Sequence, residues 1–138
     1  MTTSQQHDNS YRSLIVTAGG WITGVSLILI GLSSLFYPGM AEGYGVFPVD
    51  EKGAAYLLAT GMRDLSLGGI TLLMLTRFRS GMAMYFCLLT IIPIADVLIN
   101  LKYGSSTLSL IVHVVGVIGL VVMTVFAFRE NLPAHNQA

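Results

Sequence analysis

The stretch Leu108–Phe128 reads LSLIVHVVGVIGLVVMTVFAF and carries a single ionisable residue, His113. About 20 consecutive apolar residues are needed for a helix to cross the hydrocarbon core of a bilayer. Lipid offers no hydrogen-bond partners to the edge of an open sheet, so a helix is the form that satisfies this backbone. The stretch therefore predicts a transmembrane helix.

Three earlier segments of similar length and composition predict further spans: Leu14–Phe36, Gly53–Leu75 and Gly81–Leu101. The connections between the four spans are short, which makes consecutive helices antiparallel neighbours. The sequence thus predicts an all-α, integral membrane, up-down-up-down four-helix bundle. Residues 14–128 would form this domain, between a polar N-terminal tail (1–13) and a polar C-terminal tail (129–138).

The composition agrees with a bilayer as the surrounding solvent. Of 138 residues, 54% are hydrophobic and 10% are charged, against about 25% charged in soluble domains. Zero net charge and the lack of a basic stripe argue against a nucleic-acid partner. The single cysteine, Cys87, excludes an intrachain disulfide and a cysteine-rich metal site, and we expect it to be a small buried apolar residue.

The positively charged residues predict an orientation, because cytoplasmic loops carry an excess of Lys and Arg. One predicted side holds Arg12, Arg77, Arg79 and Arg129; the other holds Lys52 and Lys102 together with Glu42, Asp50 and Glu51. Both termini are therefore predicted to face the cytoplasm. The choice between endoplasmic reticulum and plasma membrane stays open.

Small residues recur at helical spacing on the first two predicted spans. Gly20, Gly24 and Gly31 share one face, and Gly61 and Gly68 share another. Such residues let helix backbones approach closely. They predict packing within the bundle, and homo-oligomerisation or contact with a membrane partner through these glycine faces is the alternative.

Several polar residues fall within the apolar segments. Each Arg or Asp near a span centre costs about 2.5–3.5 kcal/mol on insertion scales, so these residues should face the bundle interior or a wet cavity. Pro93 should kink the third span. We expect a polar pocket opening to the non-cytoplasmic side, under the acidic loop that holds Glu42, Asp50 and Glu51. Its border would be Tyr56, Arg63, Asp96, Asn100 and His113.

The run Gly61–Gly68, GMRDLSLG, resembles a family of short four-helix membrane proteins of fungi and bacteria, domain-of-unknown-function family 4267. The run Ile92–Asp96, IPIAD, and His113 are also similar to that family's pattern. The likeness extends from about Leu14 to Phe128, and the architecture more loosely resembles DoxX-like membrane proteins. The family implies no established activity.

The architecture is also similar to that of anthrone oxygenases, which act on lipophilic polyketides without a bound cofactor, although their sequence pattern is not present. The first functional hypothesis is a cofactor-free, metal-free enzyme of secondary metabolite biosynthesis. It would oxidise, isomerise or cyclise a lipophilic small molecule, starting with proton removal. Arg63, Asp96 and His113 would be catalytic, and Tyr56, Asp64 and Asn100 would bind substrate.

Two alternatives stay open. In the first, the protein is a non-catalytic membrane accessory subunit or scaffold. Arg63 would then pair with Asp64 or Asp96 to hold the helices in register, because buried polar pairs can specify register without any chemistry. In the second, the protein is a small carrier for protons or solutes, which four short spans accommodate poorly.

The predicted orientation is testable by labelling single-cysteine variants. With Cys87 replaced by Ser, we expect cysteines introduced at Ser4 and Ser80 to react with an impermeant maleimide only from the cytoplasmic side, because the basic residues keep that side inside. Reaction of both variants from the opposite side alone would refute the orientation.

Overall fold

The structure, a computed structural model, describes residues 3–37, 51–104 and 106–131, with side chains from Ser10 to Glu130 apart from Lys52. Within these ranges lie five helices: α1 (Thr3–Phe36), α2 (Glu51–Arg77), α3 (Met82–Leu89), α4 (Ile91–Tyr103) and α5 (Thr107–Asn131). A short 3-10 turn, Arg79–Gly81, joins α2 to α3. The all-α prediction is confirmed. The predicted acidic-loop residues Glu42 and Asp50 lie outside the described residues, as do residues 132–138.

Three helical segments are long and apolar enough to cross a membrane: Ser10–Phe36, Arg79–Tyr103 and Thr107–Glu130. These segments support a membrane protein. The described helix α2 is not among them; it has 27 residues, or about 40 Å at 1.5 Å per residue, and carries Arg63 and Asp64 near its middle. Helix α1 begins at Thr3, well before Leu14, because residues 3–13 contain neither Gly nor Pro.

The third predicted span is broken into two helices. Thr90 separates α3 from α4, and its hydroxyl donates to the carbonyl of Phe86 at 2.7 Å. Pro93 has no N–H to donate to the carbonyl of Leu89, and its ring crowds the preceding turn. The break lies three residues before Pro93, and the kink expected from Pro93 stays a prediction.

Helices α1 and α2 form the most extensive helix pair, and four glycines make their close approach possible. A Cβ on Gly31 would lie 2.7 Å from the carbonyl oxygen of Gly61, and one on Gly68 would lie 2.7 Å from that of Gly24. We call Gly24, Gly31, Gly61 and Gly68 the glycine seam. Since the earlier glycine of α1 meets the later glycine of α2, the two helices run in opposite directions.

The seam confirms that these glycine faces are used for packing within the chain. Gly20 is likewise occupied, because a Cβ there would lie 3.1 Å from the side chain of Leu75. A Cβ added at Gly69 or Gly119, in contrast, would meet no atom within 4 Å. These two positions of α2 and α5 face open space.

The hydrophobic core lies toward the end of the bundle where α2 turns into α3. It consists of Val16, Leu75, Met82, Ala83, Phe86, Leu89, Leu120, Met123 and Ala127. Many more large apolar side chains are exposed than buried, which is the pattern of a protein whose outer surface meets lipid. The expectation that Cys87 is buried is wrong: it is exposed, because Phe86 takes the core position and the next residue points about 100° away.

Arg79 ties three segments of the chain together at this same end. Its Nη1 donates to Thr17 Oγ1 at 2.9 Å, and its Nη2 donates to the Ser13 carbonyl at 2.9 Å. Its Nε donates to Glu130 Oε1 at 3.0 Å. The turn after α2 is thereby joined to α1 and to the end of α5. The sequence predicted only that Arg79 lies on the basic side of the membrane and did not indicate these hydrogen-bond partners.

The glycine seam predicts a position-dependent effect of one methyl group. We expect Gly31→Ala to destabilise the protein by about 1–3 kcal/mol, because the new Cβ would meet backbone atoms that cannot move aside. Gly69→Ala is the matched control, and with open space around it its stability should stay within about 1 kcal/mol of the wild type. Unfolding in detergent micelles measures both, and equal effects would contradict the seam.

The hydrogen bonds of Arg79 predict that a lysine, which carries the same charge, cannot take its place. We expect Arg79→Lys to lose about 2 kcal/mol of unfolding free energy, because an ammonium group cannot reach all three partners in a fixed fork. Arg77→Lys is the control, since Arg77 is exposed at the end of α2. A thermal midpoint for Arg79→Lys equal to that of the control would contradict a structural role for the network.

Candidate functional site

Five of the six residues selected from the sequence converge in the structure. Arg63 and Asp64 come from α2, Asp96 and Asn100 from α4, and His113 from α5. We call these five residues the polar cluster. They are joined by a series of contacts between 2.9 and 4.0 Å that runs from Asp64 through Arg63, Asp96 and His113 to Asn100.

The arginine of the cluster makes one strong contact, and that contact stays within its own helix. Arg63 Nε donates to Asp64 Oδ1 at 2.9 Å, whereas Arg63 Nη2 lies 4.0 Å from Asp96 Oδ2. The Asp64 side chain is 9% exposed and that of Arg63 is 39% exposed. Asp64 lies on the face of Gly61 and Gly68, as its helical spacing predicts, and anchors the guanidinium from the buried side.

This geometry argues against Arg63 as a clamp between helices. A short hydrogen bond from one helix to another would fix their register, but the link from Arg63 to α4 is 4.0 Å long. Arg79 provides the comparison, because its four hydrogen bonds of 2.9–3.0 Å all reach other segments. The short hydrogen bond of Arg63 stays on its own helix.

The orientation of His113 follows from a short contact on its own helix. His113 Nδ1 lies 2.6 Å from the carbonyl oxygen of Ser109. A carbonyl oxygen only accepts, so Nδ1 carries the proton and donates it. The Asn100 amide lies 3.4 Å from the same Nδ1. Nε2 is left facing Asp96 Oδ2 at 3.5 Å.

The Asp96–His113 pair places a carboxylate and an imidazole side by side. His113 Nε2 and Asp96 Oδ2 face each other at 3.5 Å, longer than an ordinary hydrogen bond. Carboxylate and imidazole groups are the side chains most used for general acid–base chemistry, because each can accept or donate a proton.

The cluster lies where two helices are not packed together. Helix α2 packs mainly on α1, and α4 packs mainly on α5, while α2 and α4 have almost no backbone contact. Arg63 reaches across this space toward Asp96. The side chains of Arg63, Asp96 and His113 are partly exposed (39%, 21% and 21%).

Tyr56 is the predicted residue that does not join this series of contacts. Its side chain lies on α2 two turns before Arg63 and is exposed, and it is close enough to Arg63 to interact with it electrostatically. Its place at the border of the pocket stays a prediction. Among the described residues, no group of three or more His, Cys, Asp and Glu side chains could hold a metal ion.

Two further polar features were not selected from the sequence. Tyr85 on α3 donates to the Leu67 carbonyl at 2.9 Å, and its hydroxyl lies 2.7 Å from that of Thr71. These two contacts join α3 to α2, one to two turns beyond Asp64. Thr71 could have been found as the residue two turns after Asp64 on the same face. Ser109 Oγ is fully buried and has no hydrogen-bond partner among the described residues.

A shallow groove of about 200 Å³ also lies along α4 and α5. Its lining exposes no polar surface, so it offers no chemistry of its own and differs from the polar cluster in this respect. The lining residues are Ile94, Val97, Leu98, Val114, Val117 and Ile118.

The family of this chain follows from comparison of its sequence with known proteins. A family model described as a domain of unknown function (DUF4267) matches residues 24–127, a range that includes the whole polar cluster and the glycine seam. No curated protein and no solved structure matches the chain. The match covers well over half of the chain, and the resemblance carried by the GMRDLSLG run is confirmed: this protein belongs to the DUF4267 family.

Proposed function

We propose that this protein is a multi-pass membrane enzyme that moves a proton on a lipophilic carbonyl compound without a cofactor. The observation that carries the proposal is the Asp96–His113 pair, whose facing atoms are 3.5 Å apart and whose carboxylate lies 4.0 Å from the Arg63 guanidinium. General acid–base catalysis needs a group that can take up a proton and return it, and such groups accelerate reactions by about 10²–10⁴-fold.

In the proposed arrangement, α1, α2, the α3–α4 pair and α5 cross the bilayer in up-down-up-down order, with both termini in the cytoplasm. Helix α2 is the least apolar of the four. Two features offset the cost of placing the charges of α2 in a membrane. The helix packs along α1 through the glycine seam, and Asp64 pairs with Arg63. The proposal does not specify which cellular membrane contains the protein.

The proposed chemistry starts with removal of a proton from the carbon beside a carbonyl group. Asp96 accepts that proton, and the developing enolate oxygen is stabilised by the guanidinium of Arg63, which lies 4.0 Å from Asp96. His113 then returns a proton at another position, which completes an isomerisation or prepares a cyclisation. Asp64 holds Arg63 in place, and Asn100 and Tyr56 would contact substrate at the border.

A scaffold or accessory role is the second candidate, and one observation favours it. Gly69 and Gly119 lie on outer helix faces with open space around them, where another membrane helix could approach closely. In that role the polar cluster would be needed for stability alone. The two candidates therefore differ in whether the cluster can be disabled without loss of the folded protein.

Asp96→Asn is the sharpest test of the enzyme. The change keeps the shape of the side chain, and it leaves the cluster neutral when His113 is uncharged, so the protein should accumulate normally in membranes. Proton transfer should fall by about 10²-fold or more. The measurement is the profile of extracted lipophilic metabolites in cells carrying the wild type or the variant, normalised to the amount of membrane-bound protein.

Arg77→Gln and Cys87→Ser serve as controls, because both residues are exposed and lie outside the polar cluster. They should leave the metabolite profile unchanged. If Asp96→Asn, Arg63→Lys and His113→Ala lose product only in proportion to lost protein, the scaffold role replaces the enzyme. Polyketide or terpene synthase genes beside this gene would support the further proposal of a role in secondary metabolite biosynthesis.

A further inference from the structure

Arg79 brings three segments of the chain together at one end of the bundle, and each segment carries a further arginine. The Arg79 guanidinium donates to Ser13 on α1 and to Glu130 on α5. Beside each of the further arginines lies an exposed aromatic residue. The three neighbouring pairs, which we call the arginine rim, are Tyr11 with Arg12, Arg77 with Phe78, and Phe128 with Arg129.

The members of the arginine rim lie at nearly the same level of the bundle. Each is one or two residues from Ser13, Arg79 or Glu130, and two residues correspond to about 3 Å along a helix axis. The three segments that are long and apolar enough to cross a membrane begin or end here, at Ser10, Arg79 and Glu130. Exposed tyrosines such as Tyr11 favour the headgroup level at such a boundary. The guanidinium groups of the rim therefore lie at the level of lipid phosphates.

Two arginines of the rim have no partner within the described part of the chain. Arg77 and Arg129 are exposed, and neither makes a hydrogen bond or an ion pair to another described residue. Glu130, which follows Arg129, already pairs with Arg79 at 3.0 Å. A guanidinium matches two oxygen atoms of a phosphate with parallel N–H donors, so both arginines can bind such a group without breaking a contact of the fold.

The opposite end of the bundle shows no such excess of positive charge among its described side chains. Glu51 and Lys102 are exposed there and have opposite signs, and the Lys102 ammonium lies 5.0 Å from the centre of the Tyr103 ring. Anionic lipids are concentrated in the cytoplasmic leaflet, which is the side that the Lys and Arg distribution predicts for the arginine rim. Charge complementarity therefore favours anionic headgroups at the rim.

We propose that the arginine rim binds the phosphate groups of anionic phospholipids such as phosphatidylglycerol. A lipid suits the rim better than a soluble phosphate, because its acyl chains also cover the exposed aromatic and apolar side chains beside the arginines. Phosphatidylcholine is a weaker ligand, because its choline group brings a positive charge beside the guanidinium groups. Arg129 lies about 24 Å from His113 along α5, so this surface is separate from the polar cluster and the proposal does not depend on enzyme activity.

Competition between two lipids tests the proposal. The full chain is placed in nanodiscs that contain equal amounts of phosphatidylglycerol and phosphatidylcholine with identical acyl chains. Native mass spectrometry then counts the lipids of each kind that stay bound after the disc dissociates. The wild type should prefer phosphatidylglycerol by about tenfold or more, since each arginine near an anionic surface strengthens binding by about fivefold.

Arg77→Gln and Arg129→Gln should each lower this preference by about fivefold, and the double variant should reduce it to below about twofold. Neither side chain has a described partner to lose, so the thermal midpoint should not change. Lys102→Gln is the matched control, because it removes one exposed positive charge from the opposite end; its preference should stay within about twofold of the wild type. Arg77→Lys should keep most of the preference, because the positive charge remains.

Three results would overturn the proposal. The first is equal retention of the two lipids by the wild type. The second is an equal loss of preference in Lys102→Gln and Arg77→Gln, because overall charge and not the arginine rim would then select the lipid. The third is release of bound phosphatidylglycerol by millimolar glycerol phosphate, because a soluble phosphate would then fit the rim as well as a lipid does.

Discussion

Charge that is removed from water must be balanced nearby, and this constraint shapes the interior of the protein. Arg63 and Asp64 are adjacent on α2 and satisfy each other at 2.9 Å, which keeps the most costly pair of side chains neutral wherever the helix is placed. Asp96 on α4 lies near two cationic or basic groups on other helices, the Arg63 guanidinium at 4.0 Å and the His113 imidazole at 3.5 Å. The polar side chains of α2, α4 and α5 are thereby brought together.

The two ends of the bundle are held together differently. At one end the apolar core and the hydrogen bonds of Arg79 join α1, the α2–α3 turn and α5. Beyond Thr90, α4 packs mainly on α5, while α2 packs on α1 through the glycine seam. The polar cluster connects these two pairs of helices. The two arginines differ in the same way, because the short hydrogen bonds of Arg79 reach other segments and that of Arg63 stays on its own helix.

The proposed chemistry agrees with apolar surroundings. In water, a catalytic acid and base are stabilised by solvent in either protonation state. Within a bilayer each change of charge must be matched inside the site. In the proposed enzyme, the Asp96 carboxylate, with His113 at 3.5 Å and Arg63 at 4.0 Å, would provide that matching.

Sequence alone determined the helical class, three of the apolar segments, the shared face of Asp64 with its glycines and the family, because each of these depends on local composition and helical spacing. It also selected the members of the polar cluster, since charges are conspicuous in apolar segments. Only the tertiary structure decided that Arg63 pairs with its own neighbour, that Arg79 binds Glu130 and α1, that Cys87 is exposed and that α2 and α4 stay apart. These facts depend on which helices pack together and how far along each other they are placed, and helical periodicity carries no information about either.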